Sequence, residues 1–244
     1  MTGALQAIIF DFDGVIADSE RLHLLAYQQV LAAHGLTLPE PLYYDRYLGY
    51  DDDGVFQRYA QDQTLSWDDN FIGRLVAAKG ERYETLSENG EMIFPGAAQF
   101  IREAAERVPI AIASGALTRE ISEILAREQL LPLFAAIVGA DQTVRTKPSP
   151  EPYLEAFSRL AARNEAIAEW HTVAIEDSRW GLQSAAAAGL RCVAVTNTYT
   201  AQELAAYAEL VVPGLDRLTL ARLDALCATG PPAARGSSSR MAGQ

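Results

Sequence analysis

Two aspartates one residue apart, Asp11 and Asp13, end a short apolar run and precede a glycine in AIIFDFDGVIADSE, residues 7–20. A buried strand that finishes in two like charges is costly unless something positive lies between them. Three more groups follow apolar runs further along the chain: Ser114 with Gly115, Lys147 within TKPSPEPY, and the adjacent acids Glu176 and Asp177. The carboxylates of Asp11, Asp13, Glu176 and Asp177 would form a hard oxygen cage suited to Mg²⁺. That ion takes few protein ligands, keeps waters and favours phosphate-bearing substrates. Lys147 is a strongly hydrated point charge suited to a phosphate. Ser114 and the amides of Gly115 and Ala116 could cradle phosphoryl oxygens near a helix start. The set fits phosphoryl transfer, where charge neutralisation and positioning do most of the work.

Such residues act together only if the elements carrying them deliver them to one edge. Apolar runs at 5–10, 109–114, 135–139, 172–175 and 192–195, with a weaker one at 210–212, alternate with amphipathic stretches at 97–107, 118–129, 151–162, 180–188 and 201–207. Apolar runs without alternation, separated by helices, predict parallel strands buried on both faces, hence an α/β doubly wound parallel sheet. Ligands of such sheets bind beyond the carboxyl ends of the strands, where the residues above fall. Nearly a hundred residues separate the first two strands, although a crossover needs only one helix. Helical patterns in RLHLLAYQQVLAAHG, DDGVFQRYAQ and WDDNFIGRLVAAKGERYETL make this excess an inserted helical subdomain. The chain re-enters the core at FPGAAQFI, where Pro95 and Gly96 mark a helix start. The expected organisation is a core of residues 1–14 and 93–228, a helical cap over 15–92, and a Pro-, Gly- and Ser-rich tail over 229–244 without apolar periodicity, expected to be disordered.

Composition narrows the partners. With 32 acidic against 20 basic residues the formal net charge is −12. Such a surface repels nucleic acid and anionic lipid, so neither is an expected partner. Two cysteines, Cys192 and Cys227, form no zinc-type or disulfide pattern. Residues 1–10 lack the basic start and long apolar stretch of a signal peptide and no run of about 18 apolar residues occurs, which predicts a cytoplasmic location. A monomer is expected.

The four motifs give a resemblance that covers most of the chain. Asp11-x-Asp13-Gly14-Val15, Ser114, Lys147 and Glu176-Asp177 resemble, in order, the four motifs of the haloacid dehalogenase-like (HAD) hydrolase superfamily, whose core is Rossmann-like. The position of the insert is similar to the members with an α-helical cap after the first motif. GVIADSERLH and TKPSPEPY…IEDSRWG look most like the β-phosphoglucomutase-like branch. The resemblance implies that Asp11 is a nucleophile forming an aspartyl-phosphate. Asp13 would be the acid and base, its carbonyl also a metal ligand. Glu176 and Asp177 would ligate Mg²⁺, and Ser114 and Lys147 would hold the phosphoryl group. An acid at Asp13 favours phosphate over halide chemistry.

The same resemblance places His23, Lys79 and Glu20 among cap residues that meet a small phosphorylated metabolite. It also marks Leu48 and Asp52 as the places where mutases carry a lysine and an arginine for a second phosphate. An acid there repels such a phosphate, so hydrolysis of a phosphomonoester such as a sugar phosphate is expected ahead of phosphosugar mutase activity. Arg46, Arg58 and Arg82 are the cations that could compensate. A phospho-acceptor signalling domain is the remote alternative, opposed by the cap and by Asp13. The DDDG run at 51–54 reads as a helix N-terminus rather than a calcium loop. Tyr43, Tyr44, Tyr47 and Tyr50 are expected in the cap core, and His34 and His171 have no predicted partner.

Overall fold

The computed structural model describes residues 4–47, 50, 52–89 and 92–230. Leu48, Asp51 and residues 231–244 of the expected tail lie outside them. The chain divides into two compact units: residues up to Ala17 together with those from Ile93 onward, and Asp18–Met92. Val15, Ile16 and Ala17 therefore belong with the core rather than with the cap.

The first unit is built on six parallel strands: β1 (Ala7–Phe10), β2 (Ile110–Ala113), β3 (Phe134–Val138), β4 (Thr172–Glu176), β5 (Arg191–Val195) and β6 (Leu210–Val212). Their order is β3-β2-β1-β4-β5-β6. β1 lies between β2 and β4, with Phe10 level with Ile112 on one side and Ile175 on the other. Every residue of β1, β2, β4 and β5 is buried, as expected of strands covered by helices on both faces. The crossovers use α5 (Ala97–Ala105), α6 (Thr118–Arg127), α7 (Glu151–Ala161), α8 (Arg179–Ala187) and α9 (Ala201–Leu204), and α10 (Leu220–Cys227) closes the unit. Beneath the sheet a continuous apolar core runs from Ile9 and Ala111 through Tyr153 and Leu160 to Leu182 and Leu204. The chain leaves and re-enters this unit side by side: Ala17 bridges Ile93, and Phe94 N–H donates to Ile16 O at 2.9 Å.

Residues 229 and 230 are held rather than free. Arg191, 3% exposed, donates to Thr229 O at 2.8 Å and also to Gly230 O, while its other nitrogens serve Glu209 and Trp170 O. The loose carbonyls beyond α10 thus gain a buried cation.

The second unit comprises α1 (Ser19–Ala33), α2 (Glu40–Arg46), α3 (Asp52–Asp62) and α4 (Asp69–Asn89), with α1 packed chiefly on α4. α3 opens on Asp52 and Asp53, acids that suit the positive end of a helix. Its core is aromatic: Tyr27, Tyr43, Tyr47, Phe56 and Tyr59 cluster with Leu31 and Leu75. Tyr50 departs from the expectation. It is 53% exposed, because it lies in the connection before α3 and not on a packed helix face. His34 meets Phe71 edge to face at 5.2 Å. His171 is in the first unit, with a buried Nδ1 that has no hydrogen-bond partner and Trp170 nearby.

Candidate active site

The strand order reverses direction between β1 and β4, and a crevice opens at the carboxyl ends of strands at such a switch point. Asp11 follows β1, and Glu176 ends β4 one residue before Asp177. The ligand oxygens of these three buried acids lie within 4.8 Å of one another. Lys147, from the loop before α7, bridges them: its Nζ is 2.8 Å from Asp11 Oδ1 and 2.6 Å from Glu176 Oε1. Asp11 Oδ1 also accepts the Phe12 N–H at 2.8 Å, which fixes the rotation of that carboxylate.

Glu176 is fully buried and fully served. Oε1 accepts from Lys147 and, at 2.9 Å, from the Tyr153 hydroxyl. Oε2 accepts from the N–H groups of Asp177 and Ser178 and from the Ser178 hydroxyl. Ser178 Oγ in turn caps α8 by accepting Gly181 N–H at 3.1 Å. Two glycines make room for this crowding. A Cβ on Gly181 would lie 1.7 Å from Glu176 Oε1, and one on Gly14 would lie 2.0 Å from Asp177 Oδ2. Gly14 also has φ +76°, a conformation that residues with a side chain rarely adopt, and its carbonyl accepts from Asn197 Nδ2 at 2.8 Å. Asp177 Oδ2 takes a close hydrogen bond from Thr198.

The charges do not balance. Burial first, and the Glu176 charge second, push Asp11 well above the usual carboxylate range, with Lys147 opposing. The same two causes push Asp177 up to about 7. For Lys147, burial disfavours the cation, but Asp11 and Glu176 outweigh it and hold the ammonium above its ordinary range. One lysine among three acids leaves net negative charge in a dry site. A divalent cation with oxygen ligands would relieve this, so the residues present fit Mg²⁺.

Around these groups lies a cavity of about 330 Å³ in the first unit, lined by Asp11, Asp13, Ser114, Gly115 and Lys147 at the reacting end. Ser114, 3% exposed, follows β2 and donates its N–H to Val138 O at 2.9 Å. Its Oγ accepts the Ala116 N–H at 3.1 Å. That amide is therefore occupied inside the turn, and of the two expected cradle residues only Gly115 lines the cavity.

Glu20, His23 and Lys79 are in the second unit, where His23 and Lys79 belong to one polar cluster. Lys79, 3% exposed, donates to His23 Nδ1 at 2.6 Å and to Asp52 Oδ1 at 2.7 Å. Tyr27 donates to the same Asp52 oxygen at 2.6 Å, and His23 stacks on Tyr83 at 4.2 Å. Burial first, then the Lys79 charge, lowers His23 to about 4, which leaves Nδ1 an acceptor. Burial alone would raise Asp52, but the hydrogen bonds from Lys79 and Tyr27 hold it below its ordinary range. Glu20 accepts a close hydrogen bond from Tyr43. Arg46 and Arg58 both pair with Asp62.

The model of the haloacid dehalogenase-like hydrolases matches residues 8–195, which hold all four motifs and the whole cap. The chain belongs to this hydrolase family. Among its relatives, the protein CbbY of Rhodobacter capsulatus is 31% identical over 226 residues, covering 86% of this chain and 94% of the relative. A phosphorylated carbohydrates phosphatase of Thermotoga maritima is 33% identical over 193 residues, covering 76% and 82%. A CbbY variant from Rhodobacter sphaeroides, solved in complex with xylulose-(1,5)bisphosphate, superposes with a TM-score of 0.70 at 28% identity, covering 90% of this chain and 99% of that one.

Within this haloacid dehalogenase-like site, Tyr153, Ser178, Asn197 and Thr198 escaped the sequence reading. Tyr153 closes the quoted TKPSPEPY, and Ser178 adjoins Asp177. Asn197 and Thr198 follow β5, and the carboxyl end of that run was the one signal available for them.

Proposed function

We propose that this chain, a phosphatase of the haloacid dehalogenase-like hydrolases, is a Mg²⁺-dependent enzyme that hydrolyses a small phosphomonoester of the sugar-phosphate class through an aspartyl-phosphate. The observation that carries this reading is Lys147 bridging Asp11 and Glu176 beside Asp177, at the point where the sheet reverses.

Asp11 attacks phosphorus and the bond to the leaving oxygen breaks. Asp13, on the same cavity wall, gives its proton to that oxygen, which departs as an alcohol. Asp13 then takes a proton from water as the water attacks the aspartyl-phosphate. The bond between phosphorus and Asp11 breaks, and inorganic phosphate and the free carboxylate return. Lys147, Ser114 and the Gly115 amide hold the phosphoryl oxygens, and Lys147 also keeps Asp11 and Glu176 together. The carboxylates of Asp11 and Asp177 and the backbone carbonyl of Asp13 would hold Mg²⁺, with Glu176 alongside. The ion supplies positive charge that keeps Asp11 ionised and screens the incoming phosphate.

The sugar-phosphate class is supported by the phosphatase of phosphorylated carbohydrates and by the bisphosphate complex among the relatives. The test is turnover of a panel of phosphomonoesters with Mg²⁺, with Asp11→Asn as the blank. Asp11→Asn removes the attacking anion but keeps the shape of the side chain, so turnover is expected to fall at least about a hundredfold with the circular dichroism unchanged. A smaller loss would refute covalent catalysis at Asp11. Transfer of labelled phosphate to a second sugar hydroxyl rather than to water would favour a mutase.

A further inference from the structure

The remaining wall of the cavity differs in character from the reacting groups. It comprises Ala140, Thr143, Thr146, Pro152, Ser178 and Trp180. Lys147 is the single cation among the lining residues, and its ammonium already serves two carboxylates. A second anionic group on the substrate would therefore meet Asp11 and Asp13 with no further cation among the lining residues to answer it. Hydroxyls and a flat apolar surface are what remain.

Trp180 is the distinctive element of that wall. It stands in the first turn of α8, three residues after Asp177, so the helix start that delivers the metal-site acid also delivers the indole. It is 46% exposed, although large aromatic side chains of a folded unit are normally packed away. The Arg179 guanidinium lies 4.5 Å from its ring centroid, which restrains the indole. Its N–H has no hydrogen-bond partner among the described residues. A restrained indole in the same lining as two threonines suits a neutral, hydroxylated leaving group with a carbon-bearing face, whose C–H bonds can lie on the ring while its hydroxyls pair with polar groups of the lining.

We infer that Trp180 is a specificity-determining residue, a platform on which the carbon skeleton of a neutral, polyhydroxylated leaving group stacks. The inference rests on the proposed phosphatase reading and narrows its substrate class, placing sugar monophosphates ahead of short phosphocarboxylic acids. Trp180 has no part in the attack on phosphorus. Its removal leaves the phosphoryl subsite intact.

The experiment compares wild type, Trp180→Ala and Trp180→Phe on glucose 6-phosphate, ribose 5-phosphate, phosphoglycolate and acetyl phosphate, with Mg²⁺ throughout. Wild type is expected to prefer the two sugar phosphates to phosphoglycolate. Trp180→Ala is expected to lower kcat/KM for the sugar phosphates about tenfold, the size of one lost stacking contact, while acetyl phosphate changes by less than about twofold. Trp180→Phe should recover most of the loss, since a flat ring remains. Competitive inhibition by inorganic phosphate should be the same in all three proteins. A uniform loss across the four substrates, or no loss on the sugars, overturns the inference while the phosphatase reading stands. Failure of wild type to hydrolyse any of the four overturns both.

Discussion

Asp177 is half-ionised only near pH 7, where an ordinary aspartate reaches that point at 3.8. Between those values the folded protein binds more protons at this site than the unfolded chain does. In the absence of metal, this one group therefore makes stability fall as pH rises from about 4 to 7, opposite to a salt-bridged carboxylate. A metal ligand must be ionised, so an incoming cation has to displace that proton. Mg²⁺ binding near pH 6 is thus expected to release the Asp177 proton, to which Asp11, raised by the same causes, adds, so that apparent affinity rises with pH through about 7. Isothermal calorimetry in two buffers of different ionisation enthalpy reads the released proton directly. Heats independent of the buffer would show that Asp177 is already ionised or takes no part. The buried neighbours set this behaviour: Glu176 contributes its charge at close range, and Lys147 is spent on Asp11 and Glu176.

At the scale of elements, α8 and the end of β4 are locked by the absence of one methyl group. Alanine at 181 would place its Cβ 1.7 Å from Glu176 Oε1 and 1.9 Å from Cδ. Glu176 cannot yield cheaply, since Lys147, Tyr153, Ser178 and two amides hold it. Alanine gains about 1 kcal/mol of helix propensity over glycine, but overpacking and a displaced buried charge cost about 3 kcal/mol or more. Gly181→Ala is therefore expected to be a net destabilisation of about 2 kcal/mol or more, seen as a lower urea midpoint. A midpoint equal to wild type would mean that Glu176 has room to move. This lock could not be foreseen in the sequence, although the elements it joins could. The apolar run at 172–175 is β4, extended by one residue to Glu176, and 210–212 is β6. Buried parallel strands announce themselves by unbroken Val, Ile and Ala. Helix ends were harder: α9 stops at Leu204 instead of 207, and α5 at Ala105 instead of 107, where turns replace the last helical bonds. Asp11, Ser114, Glu176 and Asp177 were legible because each stands just beyond or at the end of an apolar run, and Lys147 because TKPSPEPY marks it in the loop after β3. Tyr153 and Thr198 were not, because only the folded chain brings their hydroxyls to Glu176 and Asp177.

At the scale of the molecule, the chain interrupts one unit to build another, and each has a core of its own. Phe56, Tyr27, Tyr59 and Leu75 make the helical core of the second unit, and none of its residues belongs to the apolar core beneath the sheet. The sheet draws β1 from before the insert and all other strands from after it, so no strand depends on a residue of the cap. Stability should accordingly be partitioned, with local opening of the cap below the global unfolding energy. Phe56 tests this. It is fully buried and meets the Tyr27 ring edge to face at 5.4 Å. Truncation to alanine removes that contact and leaves a cavity, at a cost of about 3–5 kcal/mol. If the two cores are energetically separate, Phe56→Ala will lower hydrogen-exchange protection in α1, α3 and α4 by about two orders of magnitude or more, as 1.4 kcal/mol is tenfold in an opening equilibrium. Amides of β1, β2, β4 and β5 will keep wild-type protection. Equal loss in both sets would show that the cap and the sheet open as one cooperative unit.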